Sequence, residues 1–312
     1  MPKTILTNAA ALLREGGLVA LPTETVYGLG ANALDPAAVA RIYQVKGRPG
    51  TSPLIVHVAT IAMARELVRE WSEEADLLAR RYWPGPLTLV VPKHPRVPDI
   101  VTSGLDTVGV RMPAHPVTLE LIRLAGVPVA APSANRFQEL SPTTAQHVRD
   151  SLGDEVDLIV DGGPCEVGIE SAVLALSHTG PMLLRPGMIS RQELELALGR
   201  DIAEAGAVQG AHPSPGMGER HYSPRTPVAL VSGGALPSGR GAYLWWRTEA
   251  AAEWAIRMPG EPGAYARALY GELHRADEAG LEWIAVEALP DGPEWAGVSD
   301  RLKRASAPKT FS

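Results

Sequence analysis

Residues 18–58 read LVALPTETVYGLGANALDPAAVARIYQVKGRPGTSPLIVHV, and this stretch sets the expectation for the fold. The apolar run Leu18–Leu21 predicts a buried strand, and a second run over Leu54–Val58 predicts another. Between them a polar turn leads to a helix that begins at Asp35, a favourable N-cap residue, and ends on cations. Two strands joined by a long connection predict a crossover unit, so we expect the functional site at one end of the sheet.

The same stretch has Gly28, Gly30 and Ala33 at the spacing G-x-G-x-x-A, which occurs in dinucleotide-binding proteins. Its context differs, because the helix begins at Asp35, after the glycines, and no Asp or Glu that would bind a ribose occurs between Asp35 and Glu66. We therefore favour glycines that only supply turn conformations. An NADP-dependent oxidoreductase stays as a minor alternative.

Composition predicts a soluble cytoplasmic protein without membrane contact. The chain has 312 residues, 45% of them hydrophobic, which is enough for two domains. No apolar run is long enough to cross a bilayer, and residues 1–17 lack the apolar core of a signal peptide. Cys165 is the single cysteine, which excludes an internal disulfide and a cysteine-based metal cage, and we interpret it as structural.

The net charge is −6, and there is no block of Lys and Arg. Proteins that bind nucleic acid by broad phosphate neutralisation usually carry such a block. Any polyanion that this chain binds is therefore expected to be small and to meet a few convergent cations.

Predicted strands and helices alternate over residues 1–205, which predicts an α/β domain with a twisted, mixed and partly parallel sheet. Within it, one helix is predicted over Ile61–Trp71. Another is predicted from Ser141 to Leu152, with Ser141 as its N-cap and Pro142 in the first turn. Ser141 is thus either a cap or, since helix N-termini attract anions, a ligand contact as well.

Residues 206–227 lack apolar periodicity and are dense in Pro and Gly, which predicts a linker. Segments of this length without secondary structure often have a function, and a plain tether is the alternative. Residues 228–312 predict a second, smaller Rossmann-like α/β domain, in which Glu249–Ile256 is expected to be helical.

Several catalytic motifs are missing: GxxxxGK[ST], HExxH and GxSxG do not occur. Small hydroxyls, an amide and single cations remain at predicted strand ends and turns. They are Thr23, Lys46, Arg48, Thr102, Arg111, Ser133, Asn135, Ser141, Ser171 and Arg185. Each alone has an ordinary structural explanation, and His57 alone would be a core histidine. Four cations beside the strands of one domain nevertheless suit a polyphosphate, because guanidinium groups pair bidentately with phosphate oxygens.

Nine short strings, in order along the chain, carry a resemblance to a known family. They are PTETVYGLG at 22–30, KGRP at 46–49, SPL at 52–54, WPGPLT at 83–88, VRMP at 110–113, APSAN at 131–135, SPT at 141–143, GIES at 168–171 and LRPG at 184–187. With SPGM at 214–217, RHYSP at 220–224 and DRLKRA at 300–305, the chain resembles the long, two-domain form of the YrdC-type threonylcarbamoyl-AMP synthases.

The resemblance implies a nucleotidyltransferase that converts L-threonine, bicarbonate or CO2, and ATP into threonylcarbamoyl-AMP and pyrophosphate. It implies Mg²⁺ bound through ATP, no metal site made by the protein and no organic cofactor. A separate transferase would use the product for threonylcarbamoyladenosine formation in tRNA, and direct tRNA contact stays open. The alternative within the same fold is a non-catalytic RNA- or ribosome-binding module, which the net charge of −6 disfavours.

The resemblance also assigns residues to ligands. The L-threonine set is Thr23, His57, Arg111 and Ser171. The ATP set is Lys46, Arg48, Thr102, Ser133, Asn135, Ser141, Arg185 and Tyr222. His57, Lys46 and Arg48 are the expected catalytic residues, and we hypothesise that His57 assists proton removal from the threonine amine. Tyr222 would make the linker a lid over the nucleotide.

Overall fold

A computed structural model describes residues 3–205 and 221–307 of the chain. No helix within these two ranges has both the length and the apolar character needed to cross a membrane. The chain forms a ten-stranded mixed sheet and a separate four-stranded parallel sheet, both flanked by helices. This agrees with the predicted α/β class.

The ten-stranded sheet has the order β10-β9-β8-β4-β5-β3-β6-β2-β1-β7. Its strands are β1 (Val19–Leu21), β2 (Gly28–Asn32), β3 (Ile55–His57), β4 (Leu87–Pro92), β5 (Thr107–Arg111), β6 (Val129–Ala130), β7 (Leu158–Ile159), β8 (Ala172–Ser177), β9 (Gly180–Arg185) and β10 (Ala203–Glu204). Apolar side chains from both faces of this sheet and from the helices around it form the main core.

Six of the eight helices in residues 3–205 begin with an N-cap side chain that accepts a backbone hydrogen bond. The eight helices are α1 (Lys3–Arg14), α2 (Pro36–Lys46), α3 (Ile61–Arg65), α4 (Glu73–Tyr82), α5 (Asp99–Thr102), α6 (Pro116–Ala125), α7 (Ala145–Leu152) and α8 (Arg191–Leu198). In α2 the Asp35 carboxylate accepts from the backbone N–H groups of Ala37 and Ala38, and Gly47 ends the helix with a φ of 60°. These caps fix where α2 ends and therefore where the cations after it lie.

The predicted crossover unit was wrong. Residues Gly28–Asn32, expected to be a turn, form β2, which pairs antiparallel with β1. Both β2 and β3 pair antiparallel with β6, so β1 and β3 run in opposite directions. Gly30 explains the difference, because an added Cβ would lie 2.7 Å from Leu21 and 2.9 Å from Val129. The glycines thus allow close packing between strands. A dinucleotide-binding motif would need them in a turn that leads into a helix, so that interpretation does not apply here.

Three predicted helices differ from the structure. The helix expected from Ser141 begins at Ala145 instead, with Thr144 as its N-cap, so Ser141 is not a cap. The helix over Ile61–Trp71 ends at Arg65. Residues Glu249–Ile256 are not helical, because the last three enter a parallel strand whose pairing overrides local propensity.

The second sheet has the order β11-β14-β12-β13 and is parallel throughout. Its strands are β11 (Val228–Val231), β12 (Gly241–Trp245), β13 (Trp254–Arg257) and β14 (Trp283–Glu287), and its helices are α9 (Pro262–Glu278) and α10 (Ala296–Ala305). We call residues 228–307 the C-terminal unit and residues 3–205 the N-terminal unit. A parallel sheet that forms by itself fits the predicted second domain.

The two units share a hydrophobic cluster. Val26, Leu140 and Ile169 of the N-terminal unit pack with apolar residues of α9, α10 and the second sheet. At Gly168, which has a φ of 85°, an added Cβ would lie 2.4 Å from the Ala266 carbonyl oxygen of α9. Any other residue at Gly168 would push α9 away, so the backbone of the N-terminal unit is shaped to receive the C-terminal unit.

Candidate active site

A cavity of about 50 Å³ lies against the middle of the ten-stranded sheet. The ends of β3, β5 and β9 meet the starts of β4 and β8 on one side of it. Because β6 is antiparallel to both β3 and β2, the end of β6 and the start of β2 lie at the opposite end of β3. The lining residues are Thr23, Thr25, Val26, Gly28, Arg48, Ile55, His57, Arg111, Ala131, Pro132, Ser133, Glu170, Arg185, His221 and Tyr222. The lining thus combines residues at the end of β3, such as His57, with residues near its start, such as Ser133, so the site was not confined to one end of the sheet as expected.

Arg111 ends β5 and is held by a buried carboxylate. Its Nη2 donates to Oε1 of Glu24 over 2.7 Å and to Oγ1 of Thr25 over 3.0 Å, and its Nε donates to the Gly85 carbonyl over 3.2 Å. The other carboxylate oxygen of Glu24 accepts from the Ala114 N–H. These bonds fix the orientation of the guanidinium at the cavity wall.

Lys46 and Arg48 flank Gly47 at the end of α2, and their side chains lie in different places. Arg48 lines the cavity and donates to the hydroxyl of Ser52 over 2.6 Å and to its carbonyl over 3.1 Å. Lys46 is buried beneath the cavity wall, and its Nζ donates to the carbonyls of Ser133 and Asn135. Burial, and then the charge of Arg48, hold the pKa of Lys46 well below its usual range. Lys46 therefore anchors the loop after β6.

Arg185, the last residue of β9, joins β8 to the cavity. Its Nε donates to the Ser171 carbonyl over 3.0 Å and its Nη2 to the Ser171 hydroxyl over 3.2 Å. The Ser171 hydroxyl also pairs with that of Thr88 at 2.8 Å. Ser171 is buried behind Arg185 and orients it.

His57 ends β3 next to Arg111 in the strand register. The imidazole is buried, and its Nδ1 has no hydrogen-bond partner. Burial, together with the neighbouring Arg111 charge, lowers the pKa of His57 to about 3. His57 is therefore neutral at physiological pH, and it is a weak base in this environment.

Two aromatic residues close the cavity from the side of the C-terminal unit. Tyr222 is buried, and its hydroxyl accepts from Arg185 Nη1 over 3.4 Å. The ring of His221 lies edge-on to Tyr222, with centroids 4.1 Å apart, and edge-on to Phe137 on its other side. Burial and then the charges of Arg48 and Lys46 keep the pKa of His221 well below its ordinary value.

The other predicted site residues lie around the cavity or away from it. Thr23 lines the cavity and donates to the Val26 carbonyl over 2.6 Å. Asn135 and Ser141 are buried behind the wall, where Ser141 donates to the Glu170 carboxylate. Thr102 does not line the cavity, since its hydroxyl donates to the Leu105 carbonyl in the turn that follows α5.

Two family models cover most of the chain. The model described as "Telomere recombination" matches residues 11–187, and the model described as "Threonylcarbamoyl-AMP synthase, C-terminal domain" matches residues 189–307. The threonylcarbamoyl-AMP synthase of Pyrococcus abyssi is 42% identical over 96% of this chain and 93% of its own length. The chain belongs to the threonylcarbamoyl-AMP synthase family.

Further relatives of this synthase family agree. The Bacillus subtilis threonylcarbamoyl-AMP synthase is 41% identical over 96% of this chain and 92% of its own length. The crystal structure of P. abyssi Sua5 complexed with L-threonine resembles this chain with a TM-score of 0.90, over 96% of this chain and 94% of the other. The two sequences are 40% identical. The comparisons thus support the catalytic interpretation over a non-catalytic RNA-binding module or an oxidoreductase.

The sequence pattern missed three charged groups around this cavity. Glu24 and Glu170 lie within strings that carry the family resemblance, but nothing local shows that they are buried beside arginines. Arg301 lies in α10, far along the chain, and its Nε donates to Oε2 of Glu170 over 2.7 Å. The sequence shows both carboxylates close to predicted strands, and buried carboxylates are usually paired. It does not show which arginine forms the pair.

Proposed function

We propose that this chain synthesises L-threonylcarbamoyl-AMP from L-threonine, bicarbonate or CO2, and ATP, with release of pyrophosphate. The observation that carries the proposal is the convergence of Arg48, Arg111 and Arg185 on one cavity that also contains His57. Membership of the synthase family and the P. abyssi Sua5 complex with L-threonine support it.

We assign L-threonine to Thr23, His57, Arg111 and Ser171. Arg111 suits the carboxylate of the amino acid, because Glu24 and Gly85 hold its guanidinium in a fixed plane. His57 is neutral, so it adds no second positive charge beside an amine that must lose its own proton.

We assign ATP to Lys46, Arg48, Ser133, Asn135, Ser141, Arg185 and Tyr222. Thr102, expected in this set, is left out because it does not line the cavity. Arg48 and Arg185 would contact phosphates directly, since both line the cavity. Lys46, Asn135 and Ser141 would act from behind the wall, by shaping the loop after β6 and its neighbour.

The chemistry requires positioning more than covalent catalysis. The neutral amine of threonine captures CO2 or bicarbonate, and a carbamate oxygen then attacks the α-phosphorus while pyrophosphate leaves. Fixed cations beside the phosphates stabilise the charge that develops in this transfer. Arg48 fits this role at the cavity, while Lys46, expected to be catalytic, would support it by holding the loop after β6. The hypothesis that His57 removes the amine proton is kept for testing.

Mg²⁺ is expected to enter with ATP. Within residues 3–205 and 221–307, no three or more His, Cys, Asp and Glu side chains lie close enough together to hold a metal ion. Glu170, the carboxylate at the cavity, is already engaged by Ser141 and Arg301. The triphosphate would therefore hold the ion, which would supply charge neutralisation at the phosphates.

The cavity volume of about 50 Å³ suggests a lid. Sites for ligands of drug-like size usually hold roughly 300–1,000 Å³, so the cavity would have to open for a nucleotide and close again with Tyr222 over it. We propose that residues 1–205 form the catalytic domain, that residues 206–227 form a linker that acts as the lid, and that residues 228–312 form the second domain. Residues 206–220 of the linker lie outside the described ranges. The product would pass to a separate tRNA threonylcarbamoyl transferase.

The proposal is tested by measuring pyrophosphate release with ATP, L-threonine and bicarbonate, each omitted in turn. Release is expected only when all three are present. Arg185→Met should lower kcat/KM for ATP by about a hundredfold, because a charge-assisted phosphate contact is lost. Arg200→Met is the matched control, since Arg200 forms an exposed pair with Glu74. Release that does not depend on threonine would contradict the proposal.

A further inference from the structure

Arg301 belongs to α10 of the C-terminal unit, and its side chain is fully buried against the N-terminal unit. Among the described residues, no other arginine of the C-terminal unit is buried. The Nε of Arg301 donates to Oε2 of Glu170 over 2.7 Å, and its Nη2 donates to the Glu170 carbonyl over 3.0 Å. Its Nη1 donates to the Pro186 carbonyl over 2.9 Å and to Asp300. One guanidinium thus joins two loops of the N-terminal unit.

Both loops carry residues of the cavity. Glu170 lines the cavity and precedes Ser171, at the start of β8. Pro186 follows Arg185, at the end of β9. Arg301 therefore fixes the spacing between the strand ends that present Ser171 and Arg185, although it belongs to another part of the chain.

Arg301 also supports Tyr222. Its guanidinium carbon lies 5.3 Å from the centroid of the Tyr222 ring, within the range of a cation–π interaction. Tyr222 has a φ of 60°, a left-handed conformation that is unfavourable for a residue with a Cβ. The contacts of its ring with Arg301 and its hydroxyl with Arg185 offset that cost, so they hold the residue in place.

Glu170 places a negative charge at the wall of a cavity that must accept anions. Burial alone would raise the pKa of this carboxyl, but the charges of Arg301 and Arg185, with a hydrogen bond from Ser141, lower it. The carboxylate is therefore ionised, and without Arg301 it would repel phosphates across a medium of low dielectric constant.

We propose that Arg301 is a positioning residue of the active site, through which the C-terminal unit holds Tyr222 over the cavity and neutralises Glu170. The inference rests on the proposed function. It gives the C-terminal unit a task in nucleotide binding, since α10 supplies the cation that balances the acidic wall.

The test measures ATP affinity by titration calorimetry without threonine, so that no turnover occurs. Arg301→Met should weaken ATP binding by about tenfold, because a buried carboxylate loses its partner. Lys303→Met is the control, since it removes the same charge from the exposed face of α10, and it should stay within about twofold of the wild type.

The decisive comparison is the double variant Arg301→Met/Glu170→Gln. Neutralising Glu170 should recover ATP affinity by about threefold or more over Arg301→Met alone, whereas a merely structural role of Arg301 predicts no recovery. An Arg301→Met chain that binds ATP like the wild type, or a double variant without recovery, would overturn the proposal.

A second variant covers the case in which Arg301→Met does not fold. Arg301→Lys keeps the charge but cannot reach Glu170 and Pro186 together, so ATP binding should weaken by about threefold; wild-type affinity would contradict the inference. Threonine-dependent pyrophosphate release by the wild-type chain is measured separately. If it is absent, the proposed function is refuted. The comparison of ATP affinities would still show whether Arg301 supports ATP binding.

Discussion

Arg111 and Glu24 form a buried ion pair, with Nη2 and Oε1 2.7 Å apart and the two side chains only 5% and 7% exposed. The pair joins the end of β5 to the loop after β1, two segments that are far apart in sequence. Because Glu24 also accepts from the Ala114 N–H, its carboxylate is held on both oxygens. The cation assigned to threonine thus depends on a carboxylate behind it.

Glu24→Gln should therefore destabilise the chain and weaken threonine binding. Breaking a buried pair from one side leaves Arg111 uncompensated, and we expect the free energy of unfolding to fall by about 3 kcal/mol. The KM for threonine should rise by about tenfold, because the guanidinium loses its orientation. Urea unfolding and pyrophosphate release measure the two effects.

Glu66→Gln is the matched control for Glu24. Glu66 pairs with Arg96 at 2.8 Å, but both side chains are exposed. Its loss should change the free energy of unfolding by less than about 1 kcal/mol. If both substitutions lowered the free energy of unfolding equally, burial of the ion pair between Glu24 and Arg111 would add nothing to its contribution to stability.

His57 should make the chain less stable in acid. Its pKa is lowered to about 3 by burial and by Arg111, while in the unfolded chain it is about 6.5. The unfolded state therefore binds the proton first, and stability falls as the pH drops below about 6.5. At pH 5 the loss from this one residue should be about 2 kcal/mol.

His57→Gln should accordingly lose less stability than the wild type between pH 7 and pH 5. Urea unfolding at both pH values measures the difference, and His178→Gln, at an exposed position, should behave like the wild type. The same His57 variant tests the hypothesis of proton removal. A His57→Gln enzyme with wild-type kcat and threonine KM would exclude that role.

The ring and the hydroxyl of Tyr222 should contribute unequally to nucleotide binding. Tyr222→Phe loses only the 3.4 Å bond from Arg185, so the KM for ATP should rise by less than about fivefold. Tyr222→Leu also removes the ring over Arg301, and the KM should rise by about tenfold or more. Steady-state kinetics with varied ATP separates the two, and an equal effect would show that the ring is unimportant.

Cys165 should be unreactive in the folded chain. The side chain is buried, and burial raises the pKa of its thiol, so the thiolate that reacts with disulfide reagents is scarce. Labelling with a chromogenic disulfide should be at least about a hundredfold slower than in urea, because it requires local opening. Cys165→Ser should give no signal, and rapid native labelling would contradict a structural role.

The sequence by itself determined much of the local structure. Asp35 and Gly47 bound α2, and two apolar runs predicted β1 and β3, because capping and periodicity act between near neighbours. The ordered strings of small and charged residues also indicated the family, and they named the three arginines that meet at the cavity.

Only the tertiary structure decided strand directions and charge partners. Gly28–Asn32 became a strand because Gly30 fits between Leu21 and Val129, and Arg301 met Glu170 across 131 positions of the chain. Such contacts arise when distant segments bury a common surface, and local propensity carries no information about them. The sequence supplied the chemical groups, and long-range packing selected which of them face each other.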